Sequence, residues 1–339
     1  MSTSVKFLKV EGGQQSAFDS AATPNIKFPL TGEYEDAQEE HVAEFDQGQR
    51  TPLEIVEQVG QHATFTLSGS AFFELLPVAY MAGHDDITPT GAGPYVYDDT
   101  MLISSVGAPL PWTFLFGGNE NIGATGPAVK IINAYCQSVT VSGNLGMEGA
   151  TYTSTWFGSA VDDNAGAGYA FAGAALPAQL NMVKSLKGAI SLDDAGTTGG
   201  VFTTMTALAC SLLDWSITVN FGIAPKWSTD SNRLTMCGVR FEEPSVEFAA
   251  SYRTTATNYA LIKAKADART YQELMFTLTG NNSAQWINKI TGRFLANFTA
   301  HSRANDEVVM SPTFRAGTPH AQTTTPHFYG WELDTGVSL

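Results

Sequence analysis

His84, Asp85 and Asp86 stand side by side and supply an imidazole and two carboxylates, donor types that suit a divalent cation. Three consecutive residues after an apolar helical run read more simply as a polar turn. His320 and His327 share a Thr- and Pro-rich C-terminal segment, where symmetric copies could gather imidazoles, yet they read as plain solvated side chains. Gly117-Gly118-Asn119-Glu120-Asn121-Ile122-Gly123 has the glycine density of a phosphate cradle, but Glu120 repels phosphate and no helix signal follows. It reads as a loop between strands. Asp98-Asp99, Asp162-Asp163 and Glu242-Glu243 are adjacent pairs, which on a strand point to opposite faces and form no acid–base dyad. No Walker loop, nucleophile elbow, paired-cysteine zinc pattern or HExxH occurs. The expectation is a protein that is not an enzyme, with no catalytic residues, no cofactor and no metal.

The elements that would have to position such groups are strands. Ala63, Phe65 and Leu67 alternate with Thr64, Thr66 and Ser68; Val139 and Val141 with Ser138, Thr140 and Ser142; Tyr152, Ser154 and Trp156 with Thr151, Thr153 and Thr155. Later, Trp215, Ile217, Val219 and Phe221 alternate with Ser216, Thr218 and Asn220, and Val246, Phe248 and Tyr252 with Ser245, Glu247 and Ser251. Such period-2 patterns predict antiparallel sheets with one apolar face and one solvated, threonine-rich face. Helices are few. Ser70 is the expected cap of an apolar run over residues 72–81, which Pro77 starts or kinks and Gly83 stops. Thr257 is the expected cap of a helix over 258–268, with Ala260, Leu261, Ala264 and Ala268 as its apolar stripe.

The order of these elements recurs. Segments 63–68, 72–81, 113–117, 131–142 and 151–159 are followed, about one domain later, by 245–251, 258–268, 274–280, 287–299 and 308–317. Two copies of one small β-rich unit point to a builder of rings or arrays. A length of 339 residues fits the same count of two domains. The expected organisation is an N-terminal arm (1–24), a first β domain (25–165), a linker with a short helix over 177–187 (166–200), a second β domain (201–318) and a C-terminal arm (319–339). The predicted fold class is mainly β: two tandem antiparallel β-sandwich or barrel domains, each with a short flanking helix, plus extended loops and terminal arms.

Charged residues make up only 15% of the chain, against roughly 25% in an average soluble domain, so much of the surface is Ser, Thr, Asn, Gln and Gly or is covered by partners. The net charge of −15 lies entirely in the first half: 20 acids and 5 bases precede Phe171, and 13 of each follow. The densest stretch is Glu33, Glu35, Asp36, Glu39, Glu40, Glu44 and Asp46, in a long connection between strands predicted at 25–30 and 53–58. Such a balance argues against a protein that grips nucleic acid through Lys and Arg, though not against one past which DNA slides. Cys136, Cys210 and Cys237 are odd in number and unpaired in spacing, and no basic-then-apolar leader opens the chain, so a reduced, non-secreted setting is expected. Residues 201–221 are too often interrupted by Thr, Ser, Asp and Asn to span a membrane.

The run Ala63-Thr64-Phe65-Thr66-Leu67-Ser68-Gly69, the apolar helix after it, Ser138-Val139-Thr140-Val141-Ser142-Gly143, and Glu148-Gly149-Ala150-Thr151-Tyr152-Thr153-Ser154-Thr155-Trp156-Phe157-Gly158 together resemble the major tail tube proteins of long-tailed, siphovirus-type bacteriophages. The resemblance covers residues 26–161 well and 211–317 mainly through the shared order of elements. It implies small antiparallel β-sandwiches whose subunits join edge to edge into a closed sheet around a lumen, removing exposed edges. For a tandem-domain chain it implies trimeric rings with pseudo-six-fold symmetry, stacked into a tube in the virion and assembled in the host cytoplasm. Implied partners are further copies of the chain, a tape-measure protein, and tail terminator and distal tail proteins. DNA passes through the lumen without specific binding, and no membrane is involved.

By position, residues 33–51 match the family's stacking loop, so Glu33, Glu35, Asp36, Glu39, Glu40, Glu44 and Asp46 are candidate ring-stacking contacts. Phe328, Tyr329 and Trp331 give the C-terminal arm an apolar patch that seeks a neighbour. A capsid or decoration protein is the alternative from the same virion class, although no long spine helix is predicted. A two-domain carbohydrate-binding β-sandwich is the alternative from another class, with Trp112, Trp156, Trp227 and Trp286 as sugar platforms. The strand pattern, however, places Trp156 and Trp215 on apolar faces, where core packing suits them better.

Overall fold

The computed structural model describes residues 5–7, 9–45, 53–91, 94–102, 107–117, 128–144, 146–185, 187–194, 202, 205–208, 212–230, 233–253, 255–296, 299–304, 307–317 and 327–336. Among them the first half forms β1 (Val5–Phe7), β2 (Lys9–Gln14), β3 (Ile26–Phe28), β4 (Thr31–Phe45), β5 (Leu53–Ser70), α1 (Leu76–Gly83), β6 (Tyr95–Leu102), β7 (Trp112–Gly117), β8 (Val129–Asn144) and β9 (Thr151–Gly158). The second half forms β10 (Gly188–Asp194), β11 (Thr206–Ala207), β12 (Leu212–Asn220), β13 (Ile223–Asp230), β14 (Arg233–Phe241), β15 (Ser245–Arg253) and α2 (Ala256–Ala268). It continues with β16 (Gln272–Thr279), β17 (Gln285–Phe294), β18 (Thr299–Ala304), β19 (Glu307–Ser311), β20 (Thr313–Ala316) and β21 (His327–Thr335). The chain is mainly β, with large antiparallel sheets of the sandwich class.

The alternating segments assemble into one eight-stranded antiparallel wall, β4-β5-β9-β8-β12-β15-β20-β17. Thr31, Ser68, Thr153, Thr140, Thr218, Glu247, Arg315 and Arg293 stand in a single row across it, one from each strand. The neighbouring row holds Leu67, Ser154, Val139, Val219 and Val246, all fully buried. One face of the wall is therefore polar and the other apolar, as the period of two demands.

A second layer covers the apolar face. In the first half β3-β2-β7 joins the start of β8; Phe114 and Phe116 meet Phe65 of the wall, Phe114 also meets Trp156, and Phe28 packs on Phe114. Phe65 stacks on Trp156 with ring centroids 5.7 Å apart. In the second half the layer is β10-β16-β17-β21-β6, and Phe276 packs 5.0 Å from Trp215 and 4.7 Å from Phe248. Aromatic pairs in these tilted and offset arrangements supply much of the burial that offsets ordering so many strands.

The helices differ from expectation at their ends. Ser70 closes β5 and does not cap α1; the N-cap of α1 is Leu75, whose side chain makes no cap, and Pro77 occupies the first turn, where the missing N–H costs no bond. Every residue of α1 is buried, because it lies between the two halves. Thr255, not Thr257, caps α2, accepting from the Asn258 N–H at 3.2 Å. The buried stripe of α2 is Asn258, Ile262 and Ala266, while Ala260, Leu261, Ala264 and Ala268 face outward. Choosing the stripe by hydrophobicity alone selected the wrong face, since the apolar residues of α2 surround most of its circumference.

Three expectations of domain organisation are corrected by pairing. The acid-rich stretch is no loop: Glu33, Glu35, Asp36, Glu39, Glu40 and Glu44 lie in β4, paired along its length with β5 as one long hairpin. Asp46 lies outside the described residues. Among the described residues of 177–187 the expected helix does not form; the stretch packs across the first half. There Val183 donates to Ala71 and accepts from Ala150, at 2.9 and 2.7 Å. Buried Glu74 holds it, accepting from the Asn181 N–H at 2.7 Å and from its Nδ2 at 2.6 Å. Tertiary partners for these backbone groups outcompeted a local helix.

The described parts of the two terminal arms are paired into the sheets as well. β2 is paired with β3 and β7, and Val10 and Glu11 are fully buried. β21 is inserted between β17 of the second half and β6 of the first, so Phe328, Tyr329 and Trp331 are buried inside their own chain and cannot dock on a neighbour. Trp331 lies 4.3 Å from Tyr80 of α1, ring centroid to centroid, and the Tyr80 hydroxyl donates to Tyr329, which donates to Asn288 Oδ1 at 2.6 Å. Burial pushes both phenols well above their ordinary titration range.

The same insertion makes β21 sensitive to acid. His327 starts the strand, its Nδ1 3.3 Å from Thr291 Oγ1, and burial together with Lys289 lowers its pKa to about 4. Its folded pKa lies below the unfolded value near 6.5, so the unfolded chain binds the proton more readily. The contribution is complete above pH about 6.5 and is lost as pH falls towards 4, by about 2–3 kcal/mol. Unfolding free energies measured against pH should therefore drop more steeply for the native chain than for His327→Gln across that interval. Superimposable profiles would refute the assignment.

Candidate assembly edges

The two halves meet strand to strand. β8 and β12 pair antiparallel from Asp214 opposite Asn144 to Asn220 opposite Ser138. On the apolar side Ile217 faces Val141 and Val219 faces Val139, all within 1% of full burial. On the polar side Thr140 and Thr218 hydroxyls are 3.0 Å apart. Trp215 faces Gly143, and a Cβ there would stand 2.8 Å from the indole nitrogen, so only glycine lets this ring close over the seam. The indole N–H donates to the Ser185 carbonyl at 2.7 Å, tying the strap across the first half to the same seam.

The order of pairing is the same on either side of that seam. In the first half β7, β8, β9, β5 and β4 follow one another; in the second β16, β17, β20, β15 and β12 do so. Each half contains a long hairpin ahead of its helix, β4–β5 in the first and β12–β13 with β14–β15 in the second. The distal parts of the two hairpins touch: Leu234 of β14 bridges Gly60 of β5, and Trp227 lies edge-on to His62 at 5.2 Å.

The outer borders of the wall are its least satisfied parts. β4 pairs with β5 along its length, and on its other side, among the described residues, β1 pairs with Gly32, Glu33 and Tyr34. At the opposite border β18 continues the course of β17 and pairs, among the described residues, with β19 alone. An exposed strand border presents unpaired N–H and C=O groups that accept a further strand. The β4 border carries Glu33, Glu35, Asp36, Glu39, Glu40 and Glu44 in its sequence, and the β17–β18 border carries Arg293, His301 and Arg303.

The remaining sequence candidates do not converge on chemistry. His84 turns to Asp99 of β6, Nε2 to Oδ2 3.2 Å, while Asp85 Oδ1 accepts from the Ala108 N–H and Asp86 from Gln14, so the three neighbours point to three partners. Burial is the largest influence on both His84 and Asp99, lowering the first pKa and raising the second. Among the described residues no three or more His, Cys, Asp or Glu side chains gather in a group that could hold a metal. A cleft of about 930 Å³ beside α1 contains Glu242, Glu247 and Arg315, but the last two are paired at 3.1 Å and the first is bound to Arg240 at 2.9 Å. Gly117 closes β7; residues 118–123 and His320 lie outside the described residues. Among the described residues no helix is long and apolar enough to cross a membrane.

No protein-family model and no curated protein matches this chain. What the sequence missed was the β8–β12 seam; its one trace is the matching Ser/Thr period of residues 138–142 and 216–220.

Proposed function

We propose that the chain is a structural subunit of a phage tail tube, a virion protein that closes into rings of three copies, stacked into a conduit for DNA. The observation that carries this reading is the seam: two four-strand walls of the same pairing order, joined edge to edge by β8 and β12, with open borders at β4 and β18. A junction already made once within the chain can be made again between chains, and head-to-tail repetition of one junction forms a ring where its rotation closes on itself. The polar face built on Thr31, Ser68, Thr153, Thr140 and Thr218 suits a water-filled lumen, while the paired hairpins β4–β5 and β13–β14 suit contacts between successive rings.

In this reading the acids of β4 have two roles, edge recognition near Glu33 and stacking towards Glu44. The partners are further copies, a tape-measure protein, terminator and distal tail proteins, and DNA in passage. The carbohydrate-binding alternative loses three of its four platforms, because Trp112, Trp156 and Trp286 are buried within 1% of completeness, while Trp227 is half-buried against His62. Electron microscopy of the purified chain over a concentration series tests the proposal: hollow tubes of uniform width are expected. A monodisperse monomer at every concentration, with binding on a glycan array, would replace it with the alternative.

A further inference from the structure

The border strand β4 is not bare at its start, and what lies on it has an exact counterpart at the seam. Phe65 of β5 pairs with Trp156 on one side and Tyr34 on the other; Phe248 of β15 pairs with Phe314 and Ile217. Tyr34 and Ile217 therefore hold equivalent places in the two halves, as do Glu33 and Ser216. On Ile217 the seam sets Val141, and on Ser216 it sets Ser142, antiparallel. On Tyr34 the strand β1 sets Val5, and on Glu33 it sets Lys6, also antiparallel. β1 thus copies, over its three residues, the register that β8 has on β12.

The strand that would copy the rest of that junction is β18. Ser302 pairs with Val309 as Ser142 pairs with Thr151, and Val309 stands to Phe314 along the chain as Thr151 stands to Trp156. Repeating the seam between copies places Ser302 of one chain opposite Glu33 of the next. Lys6 already faces Glu33 within the chain.

We propose that β1 occupies, in the unassembled chain, the edge of β4 that β18 of a second copy takes on assembly, so that Lys6 and Ser302 are alternative partners of Glu33. This rests on the ring-forming reading above and adds its regulation. β1 is three residues long and β18 is six, so exchange replaces a short ladder by a longer one. Charge favours both occupants: β4 brings Glu33, Glu35 and Asp36, β1 brings Lys6, and the β17–β18 border brings Arg293, His301 and Arg303. A covered border resists premature edge-to-edge aggregation, and its release admits only a strand of matching register.

Paired cysteines test the exchange in a Cys210→Ser, Cys237→Ser background. Lys6→Cys with Glu33→Cys should form a disulfide within the chain on oxidation, hold it unassembled, and release it to assemble when reductant is added. Ser302→Cys with Glu33→Cys should instead cross-link separate chains in the assembled fraction. If β1 covers the edge about nine-tenths of the time, removing residues 1–7 lowers the concentration needed for assembly about tenfold. The inference fails, with the tube reading intact, if the oxidised Lys6→Cys/Glu33→Cys chain assembles as readily as the reduced one. It fails likewise if that disulfide never forms. If the native, truncated and reduced chains all remain monomers at every concentration, both the inference and the tube reading fall.

Discussion

Trp331→Ala lowers the unfolding free energy of the unassembled chain by about 3–5 kcal/mol, the range for truncating a large aromatic ring in a packed core. The residue sits on β21 between Asn288 of β17 and Asp99 of β6, 1% exposed, with its ring against Tyr80 of the fully buried helix α1. Its loss leaves a cavity where the second layer of the C-terminal half meets the first half, and strands held on both sides cannot collapse to fill it. Tyr329→Phe, one turn of the pleat away, removes only the hydroxyl that accepts from Tyr80 and donates to Asn288, and costs about 1–2 kcal/mol. Urea unfolding followed by circular dichroism ranks the two. A Trp331→Ala effect below that of Tyr329→Phe would mean that β21 does not stitch the halves together.

Ile217→Asp abolishes the folded chain under conditions where Thr218→Val barely changes it. Both positions lie on β12 at the seam, one residue apart, and the pleat sends them to opposite faces. Ile217 is 1% exposed between Val141 and Phe248, so an aspartate there buries an unpaired carboxylate at a cost of several kcal/mol, comparable with the whole stability of a domain. Thr218 is half-buried and exchanges one hydroxyl contact with Thr140, so its replacement shifts stability by about 1 kcal/mol or less. Because β12 carries the ladder that β8 pairs with at the seam, Ile217→Asp should also expose the Thr140–Ser142 backbone to proteolysis and hydrogen exchange. Equal stability of the two variants would show that the seam is not formed in solution.

Most of the wall was legible residue by residue. Alternation at Ala63–Phe65–Leu67, at Val139–Val141 and at Trp215–Ile217–Val219 assigned both strand and face correctly, because a period of two is a local property that burial of one face enforces. The recurrence of strand, helix and three further strands was legible only as an order along the chain; which strands pair with which was not. Local patterns failed where a residue's partner is distant. Glu33 to Glu44 looked like a loop because acids dominate, yet β5 gives them a strand to pair with. Residues 177–187 had helical composition, yet Ala71, Glu74 and Ala150 supplied the hydrogen bonds a helix would have made internally. Phe328, Tyr329 and Trp331 read as an exposed patch because nothing near them in the chain covers them; their cover comes from Tyr80, Asn288 and β6.

By itself the sequence determined that the alternating segments form strands, which face of each of those strands is apolar, and that one half carries all the excess negative charge, since these depend on composition and on neighbours one or two residues away. Only the tertiary structure decided that the halves join through β8 and β12, that β21 closes the second layer, and that β1 lies on the acidic border in the register of the seam. Strand partnership is set by which exposed ladders and apolar faces complement each other across the whole molecule, and that information is spread over residues too far apart for any local pattern to hold.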